Sequence, residues 1–371
     1  MAAGKWNIKK ASGGVASITV ADGTGNTDLV LPESGTVATT SNIVGFKNYI
    51  INGNFDVWQR GASQTDSGYG SDDRWTNNNI GSTKTHSRID CTDVERALFN
   101  ASRFSRTVVS SVAGANNYCN KGQSIEDVTR LAGKTVTLSF WAKADANKNI
   151  AITSGQTFGT GGSPSAAVYG NGQLVALTTT WQKKTITMTI PSIVGKTLGT
   201  DGVNTSATYI YFAFDYGSGI TIYPAQAQQS GTFDIAQVQL EEGSVATPFE
   251  NRPYGLELSL CHRYYEKVDS DRCNTPIYGT GTGFLGSVKY KVPKRTIPTV
   301  SLGTASHWRT IVIYNGYALS TLNVQEITAY GFDVNGTISG GNIPAGYAGK
   351  IQVNDAYTDN GTDGIFVSAE L

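Results

Sequence analysis

Eight Asn-Gly or Asp-Gly pairs punctuate the chain, at Asp22, Asn52, Asn171, Asp201, Asn315, Asn335, Asn360 and Asp363. Such pairs supply the positive φ angles of tight hairpin turns, so a chain that repeats them is expected to fold as antiparallel strands. The segments between them alternate in the way strands do. In KTVTLSFWAK (134–143), Val136, Leu138, Phe140 and Ala142 share one face; in KTITMTIP (184–191), Ile186, Met188 and Ile190 repeat the pattern. ATYIYFAFDYG (207–217) is apolar on both faces, which predicts a strand buried on both sides. The fold class is all-β.

TFDIAQVQLEEG (232–243) carries a phase slip. Phe233 and Ile235 alternate, but the next apolar pair is Val238 and Leu240, so a β-bulge near Ala236–Gln237 is expected. Two helices are expected. SIEDVTRLAGK (124–134) offers Ser124 as N-cap, Asp127 three residues on and Gly133 past the end. GLELSLCHRYYEKV (255–268) places Leu256, Leu260, Tyr264 and Val268 at four-residue steps. Four segments follow: an N-terminal segment 1–45, holding only short strand-like pieces, too little for its own core; a central β-domain 46–252; a connecting helix 253–269; and a smaller C-terminal β-domain 270–371, a second sandwich. GTGTGFLG (279–286) reads as a hairpin rather than a phosphate loop, since no Lys-Ser/Thr follows it.

The charge balance excludes several classes. With 29 basic and 29 acidic residues the net charge is zero, which argues against nucleic-acid partners and against an anionic membrane surface. No run of about 18 apolar residues predicts membrane insertion, and the opening MAAGKWNIKKASGG lacks the apolar stretch of an export leader, so synthesis in a cytoplasm is expected. Cys91, Cys119, Cys261 and Cys273 show no CxxC spacing and do not cluster with His86, His262 or His307; they read as reduced, apolar fillers.

Catalytic patterns are absent from the sequence. Glycoside hydrolysis needs two carboxylates about 5–10 Å apart across a cleft. Glu241–Glu242 on a strand point to opposite faces, and Asp72–Asp73, Glu126–Asp127 and Asp269/Asp271 read as structural acids. No Gly-x-Ser-x-Gly turn accompanies the histidines. Aromatic rings are plentiful. Trp58, Trp75 and Trp141 lie in regular segments and are expected in packing, whereas Tyr169, Tyr278, Trp308, Tyr314 and Tyr317 lie in expected loops, where a ring can stack on a sugar face. These five are the candidate glycan-binding residues.

INGNFDVWQRG followed by DDRW, LAGKTVTLSFWAKAD, and FDIAQVQLEEGSVATPFENRPYGLELSLCHRYYEK resemble tail-fibre and receptor-binding proteins of tailed bacteriophages. The part from about 49 to 250 is similar to carbohydrate-binding modules with a galactose-binding-like jelly roll, in which NGNFD opens the first strand and FDIAQVQLEEG closes the last. LVLPESGTVATT (29–40) resembles the linker after a virion-attachment segment. The resemblance implies a homotrimer, attached through residues 1–45 to other phage tail or baseplate proteins and located in the virion after assembly in the host cytoplasm. It also implies a host surface polysaccharide or lipopolysaccharide as ligand. Jelly rolls of this kind often carry a structural calcium, for which Asp56 and Asp234 occupy comparable positions.

Three functions fit this reading: a non-enzymatic tail fibre that recognises a surface glycan, a tailspike-type polysaccharide depolymerase, and a structural fibre or baseplate decoration protein. The depolymerase predicts a carboxylate pair in a cleft and, commonly, a parallel β-helix, and the sequence lacks the short coil repeats of one.

Overall fold

The computed structural model describes residues 5–9, 15–19, 46–201, 205–268, 278–280, 282–303, 305, 308–312, 315–340, 349–353 and 364–371; for 5–9, 15–19, 278–280, 310–312, 315, 349–350 and 352–353 the description is of backbone alone. The chain divides into two compact units, Met1–Gly45 and Phe46–Leu371. In the first, β1 (Lys5–Lys9) and β2 (Val15–Thr19) pair antiparallel.

The second unit begins with an all-β jelly-roll sandwich. Its strands are β3 (Ser63–Gln64), β4 (Thr76–Ile80), β5 (Thr83–Asp90), β6 (Arg103–Ser110), β7 (Tyr118–Glu126), β8 (Thr135–Ala144), β9 (Lys148–Phe158), β10 (Val168–Tyr169), β11 (Gln173–Leu177), β12 (Gln182–Thr189), β13 (Ser206–Tyr216) and β14 (Gly231–Glu242). One sheet runs β10-β9-β13-β7-β4 with β11 also on β9; the other runs β12-β8-β14-β6-β5-β3. Val136, Leu138, Phe140 and Ala142 are all buried between them, as their spacing predicts, against Ile210, Phe212 and Phe214 of β13.

The bulge is where the phase slip puts it. Gln237 takes φ 47°, the register of β14 against β8 shifts between Ala236 and Gln239, and Phe233, Ile235, Val238 and Leu240 all reach one core.

NGNFD is not a strand. Asn52 and Phe55 both have φ 56°, and the segment turns across the β14 bulge. Side-chain amides replace the ladder. Asn52 Nδ2 donates to the carbonyls of Val57 and Asp73, its Oδ1 accepts from Val57 N, and Asn48 Oδ1 accepts from Ile50 N and Leu240 N. Gly53 O accepts from Val238 N at 2.8 Å, and a Cβ on Gly53 would run into the Val238 carbonyl. Gly53→Ala is therefore expected to cost about 1–3 kcal/mol through forced backbone displacement; an unchanged urea midpoint would show that the crossing is looser than this.

Both helix expectations need correction. Ser124 lies in β7, paired with Tyr209 of β13, and Asp127–Gly133 is a series of turns; strand pairing outcompetes the local capping signal. The second helix, α2 (Tyr254–His262), ends early, because Tyr265–Val268 forms β15. Its buried positions are Glu257, Cys261 and His262, while Leu256 and Leu260 are half-exposed. Glu257 accepts from Asn52 N and pairs with Arg252 at 3.3 Å, so α2 is fastened to its own sandwich. Sequence reading missed α1 (Asp93–Phe99), whose capping box joins Thr92 and Glu95.

Beyond β15 come β16 (Tyr278–Thr280), β17 (Gly283–Lys289), β18 (Thr299–Leu302), β19 (Trp308–Val312), β20 (Asn315–Gln325), β21 (Gly331–Ile338), β22 (Gly349–Val353) and β23 (Ile365–Ser368). They form a sheet ordered β15-β23-β18 and another ordered β16-β17-β21-β20-β19-β22, over a separate core containing Phe332, Val334, Ile351 and Val367. β16 and β17 form the hairpin expected at GTGTGFLG.

Candidate functional site: a tyrosine cleft on one sheet

The inward residues of β13 are Ile210, Phe212 and Phe214, so alternation turns Tyr209 and Tyr211 to the outside of the sheet. The same alternation on β7 buries Cys119 and turns Tyr118 and Asn120 outward. Two glycines make room for rings there. A Cβ on Gly122, cross-strand from Tyr211, would collide with the Tyr211 ring, and one on Gly155 would stand 3.1 Å from the Tyr169 ring. With no side chain beneath them, both rings lie across the sheet. Tyr209 and Tyr211 stack at 5.6 Å with planes 22° apart, and Tyr209 is fixed by a 2.6 Å hydroxyl contact to Thr157.

The segment after β13 completes the wall. Tyr223 packs on Tyr216 at 4.8 Å, and the Tyr216 hydroxyl donates to Pro224 O. The result is a cleft of about 230 Å³ lined by Asn78, Tyr118, Asn120, Tyr169, Tyr211, Ile220, Ile222 and Tyr223. None of these is charged. Burial pushes the hydroxyls of Tyr211 and Tyr223 well above the usual phenol range, with neighbouring tyrosines adding to it, so both remain neutral donors across the physiological range.

Of the five candidates read from sequence, the cleft contains Tyr169, which is 46% exposed. Trp308 must be withdrawn. It is fully buried in β19 among the apolar residues of the C-terminal core and offers no face to a ligand. Tyr317 is half-buried against the same core. The side chain of Tyr278 and the whole of Tyr314 lie outside the described residues. Sequence reading missed Tyr118, Tyr211 and Tyr223. The signal for Tyr211 was TYIYF, where hydroxyl-bearing rings alternate with Ile and Phe: a half-covered face, not one buried on both sides.

Of the two calcium candidates, Asp234 does not fit a cation. Both carboxylate oxygens of Asp234 are taken by Arg106, at 2.7 and 2.8 Å, with Lys143 at 3.7 Å, and Asp56 accepts from Asn54 at 2.9 Å. A guanidinium already supplies the positive charge that calcium would bring to Asp234. Among the described residues no three His, Cys, Asp or Glu side chains group to hold a metal ion.

None of the described paired acids lines the cleft, and Asp269 and Asp271 lie outside the described residues. Asp72 and Asp73 are both buried but point apart: Asp72 meets Lys121 and His86, and Asp73 meets Gln59 and Arg60. Glu126 pairs with Arg263 at 3.0 Å. Glu241 is buried against Thr247, whereas the neighbouring Glu242 reaches Lys134, on opposite faces as expected. Cys91, Cys119 and Cys261 are buried free thiols.

No protein-family model matches the chain, and no curated protein does. Solved structures that are similar include a putative sugar-binding protein from Bacteroides thetaiotaomicron (13% identity, 53% of this chain and 100% of that one, TM-score 0.32). Another is a family 11 carbohydrate-binding module from Clostridium thermocellum in complex with a mixed-linked tetrasaccharide (11% identity, 48% and 95%, TM-score 0.30). A third is the enzymatically active domain of tailspike protein 4 from bacteriophage CBA120 (15% identity, 53% of this chain, 21% of that one, TM-score 0.29). Identities and scores of this size transfer neither a ligand nor an activity.

Proposed function

We propose that this protein is a non-enzymatic glycan-binding protein of a bacteriophage tail fibre, and that its sugar lies in the cleft between Tyr169, Tyr211 and Tyr223. The observation that carries the binding half is the cleft itself. It combines flat rings laid on a sheet with hydroxyl and amide groups at its edges, which is the chemistry a pyranose needs: an apolar face to cover and hydroxyls to pair. The fibre half rests on the motif resemblance. It makes the chain a homotrimer in the virion, joined through residues 1–45 to other tail or baseplate proteins, with a host surface polysaccharide or lipopolysaccharide as partner. A shallow cleft suits that setting, since three sites on each fibre multiply a weak single contact.

A glycan array probed with wild-type protein and with Tyr211→Ala tests the binding half. Wild type is expected to retain a defined set of glycans, and the variant to bind them about ten-fold more weakly, the size of one lost stacking contact of about 1.5 kcal/mol. Equal binding by the two would remove the cleft from the mechanism. Light scattering on the full chain and on one beginning at Phe46 tests the fibre half: a trimer from both is expected, and a monomer from both rejects it.

A further inference from the structure

We infer that the cleft takes an uncharged sugar unit and that Asn120 sets its register by accepting a hydroxyl proton at Oδ1; this deepens, and rests on, the glycan reading above. The two amides of the cleft are not equivalent. Asn78 has a partner at each end, its Oδ1 accepting from Gly68 N and its Nδ2 donating to Thr76, each at 3.1 Å. Asn120 donates from Nδ2 to the Tyr223 hydroxyl at 3.4 Å, but its Oδ1 is buried with no partner. A buried acceptor without a donor is costly, and a ligand hydroxyl that supplies one recovers that cost on binding. The terminal torsion of asparagine is soft, so the amide can swing to meet the incoming group.

The absence of charge among the lining residues sets the ligand class. A carboxylate, sulfate or phosphate on the sugar would lose water on entering and find no cation there. A neutral hexose brings only hydroxyls, which the asparagine and tyrosine edges can pair. Rejection of a sugar lacking the matched hydroxyl is then expected to be sharper than rejection of a change in its apolar outline.

Titration calorimetry on the full chain with cellotetraose, maltotetraose and galactotriose identifies the best neutral probe. Its C6-carboxylate counterpart and its monodeoxy series are then measured against wild type, Asn120→Ala and Tyr211→Ala. We expect the carboxylate form to bind at least about ten-fold more weakly and Asn120→Ala to lose about ten-fold on the parent sugar. That loss should vanish for a single deoxy sugar. The melting temperature of Asn120→Ala should change little, because the side chain gives up one long bond, at 3.4 Å to the Tyr223 hydroxyl, together with an acceptor that had no partner; a purely structural asparagine would lower it by several degrees. Equal affinity for the carboxylate form, or wild-type binding by Asn120→Ala while Tyr211→Ala fails, would overturn this inference and leave the glycan reading standing. If Asn120→Ala loses binding only in step with a fall in melting temperature, the register role is likewise overturned. No binding of any probe by wild type, together with an empty glycan array, would overturn both.

Discussion

Lys121→Met, made alone, is expected to destabilise the sandwich by about 3–5 kcal/mol, the cost of leaving one charge of a buried pair without its partner. Lys121 and Asp72 are both buried and directly bonded, at a polar end of the sandwich interior that also holds Gln64, Ser71, Asn77, His86, Ser105 and Thr107. Burial alone would lift the Asp72 carboxyl, but Lys121 holds it well below the usual carboxylate range. The Lys121 ammonium keeps its charge at neutral pH, although burial pushes it down to about 8. The ammonium also lies 2.6 Å from His86 Nε2, so that nitrogen is the acceptor and Nδ1–H donates to Thr107 Oγ1 at 2.8 Å. His86 is thus a neutral member of the cluster, pushed down to about 4 by burial and then by Lys121.

The pH dependence follows in sign. For His86 the folded-state pKa lies below the ordinary 6.5, so the unfolded chain binds the proton first and stability falls as pH drops from about 6.5 to about 4. Asp72, also depressed in the folded state, gives up its share below the ordinary carboxylate range as pH falls further. Asp73 runs the other way. Burial lifts it to about 6, so the stability it contributes is present below about 3.8 and lost as pH rises through 6. Comparing His86→Gln with wild type across pH removes the Asp73 contribution from the difference. In Lys121→Met, Asp72 becomes an unpaired buried acid, and stability should recover as pH is lowered towards its protonation. Urea melts at pH 7 and pH 5 check this; a Lys121→Met midpoint within about 0.5 kcal/mol of wild type at pH 7 would show that water reaches the cluster.

The β-class was legible in the sequence, though not for the reason that first drew attention to it. Among the described Asn-Gly pairs, Asn335–Gly336 lies inside β21, where a Cβ on Gly336 would meet the Phe284 ring at 2.7 Å. Asn315 is already paired with Val312, and Asn171–Gly172 interrupts an edge strand whose two parts, β10 and β11, run along β9. The pairs at Asp22, Asp201, Asn360 and Asp363 fall wholly or partly outside the described residues. Alternation carried the correct signal instead, because a strand's period of two is written into each strand by itself. Ladder neighbours are not. Nothing local to Tyr211 announces that Gly122 will stand beside it, so the cleft appears only once β7 and β13 are paired. Trp308 failed in the opposite direction: its flanks read as loop, yet pairing with Val353 of β22 makes it a core strand residue. The capping box of α1 was legible as Thr-x-x-Glu, whereas Ser124 and Asp127 presented the same kind of signal and lost to a strand with two ladder partners nearby.

Glu370→Ala is expected to be the second severe substitution, at about 3–5 kcal/mol, because it strips the shared partner from two arginines in one step. Glu370 pairs with Arg60 at 3.0 Å and directly with Arg74, and all three side chains are buried. Arg60 keeps Asp73 at 3.7 Å, but among the described residues Arg74 keeps no carboxylate: it retains the Ser124 carbonyl at 2.6 Å and the face of the Tyr264 ring at 3.4 Å. A guanidinium buried with only a carbonyl and a ring is the source of the cost. The loss should also be directional. The last residues tie β23 to the start of β15 and to the β17–β18 connection, with Ala369 N donating to Tyr264 O and Arg295 donating to Ala369 O, and reach the sandwich through Glu370 and the Tyr69 hydroxyl, which donates to Leu371 O. Hydrogen exchange on Glu370→Ala should therefore deprotect Tyr265–Val268 and Ile365–Ser368 ahead of the main sandwich strands β8 and β14, whose ladders do not involve this anchor. Glu370→Gln, which keeps the acceptor oxygen and loses the charge, should fall between the two. Uniform deprotection across both sandwich and C-terminal sheets would show instead that the two cores unfold as one cooperative unit, with Glu370 contributing to all of it.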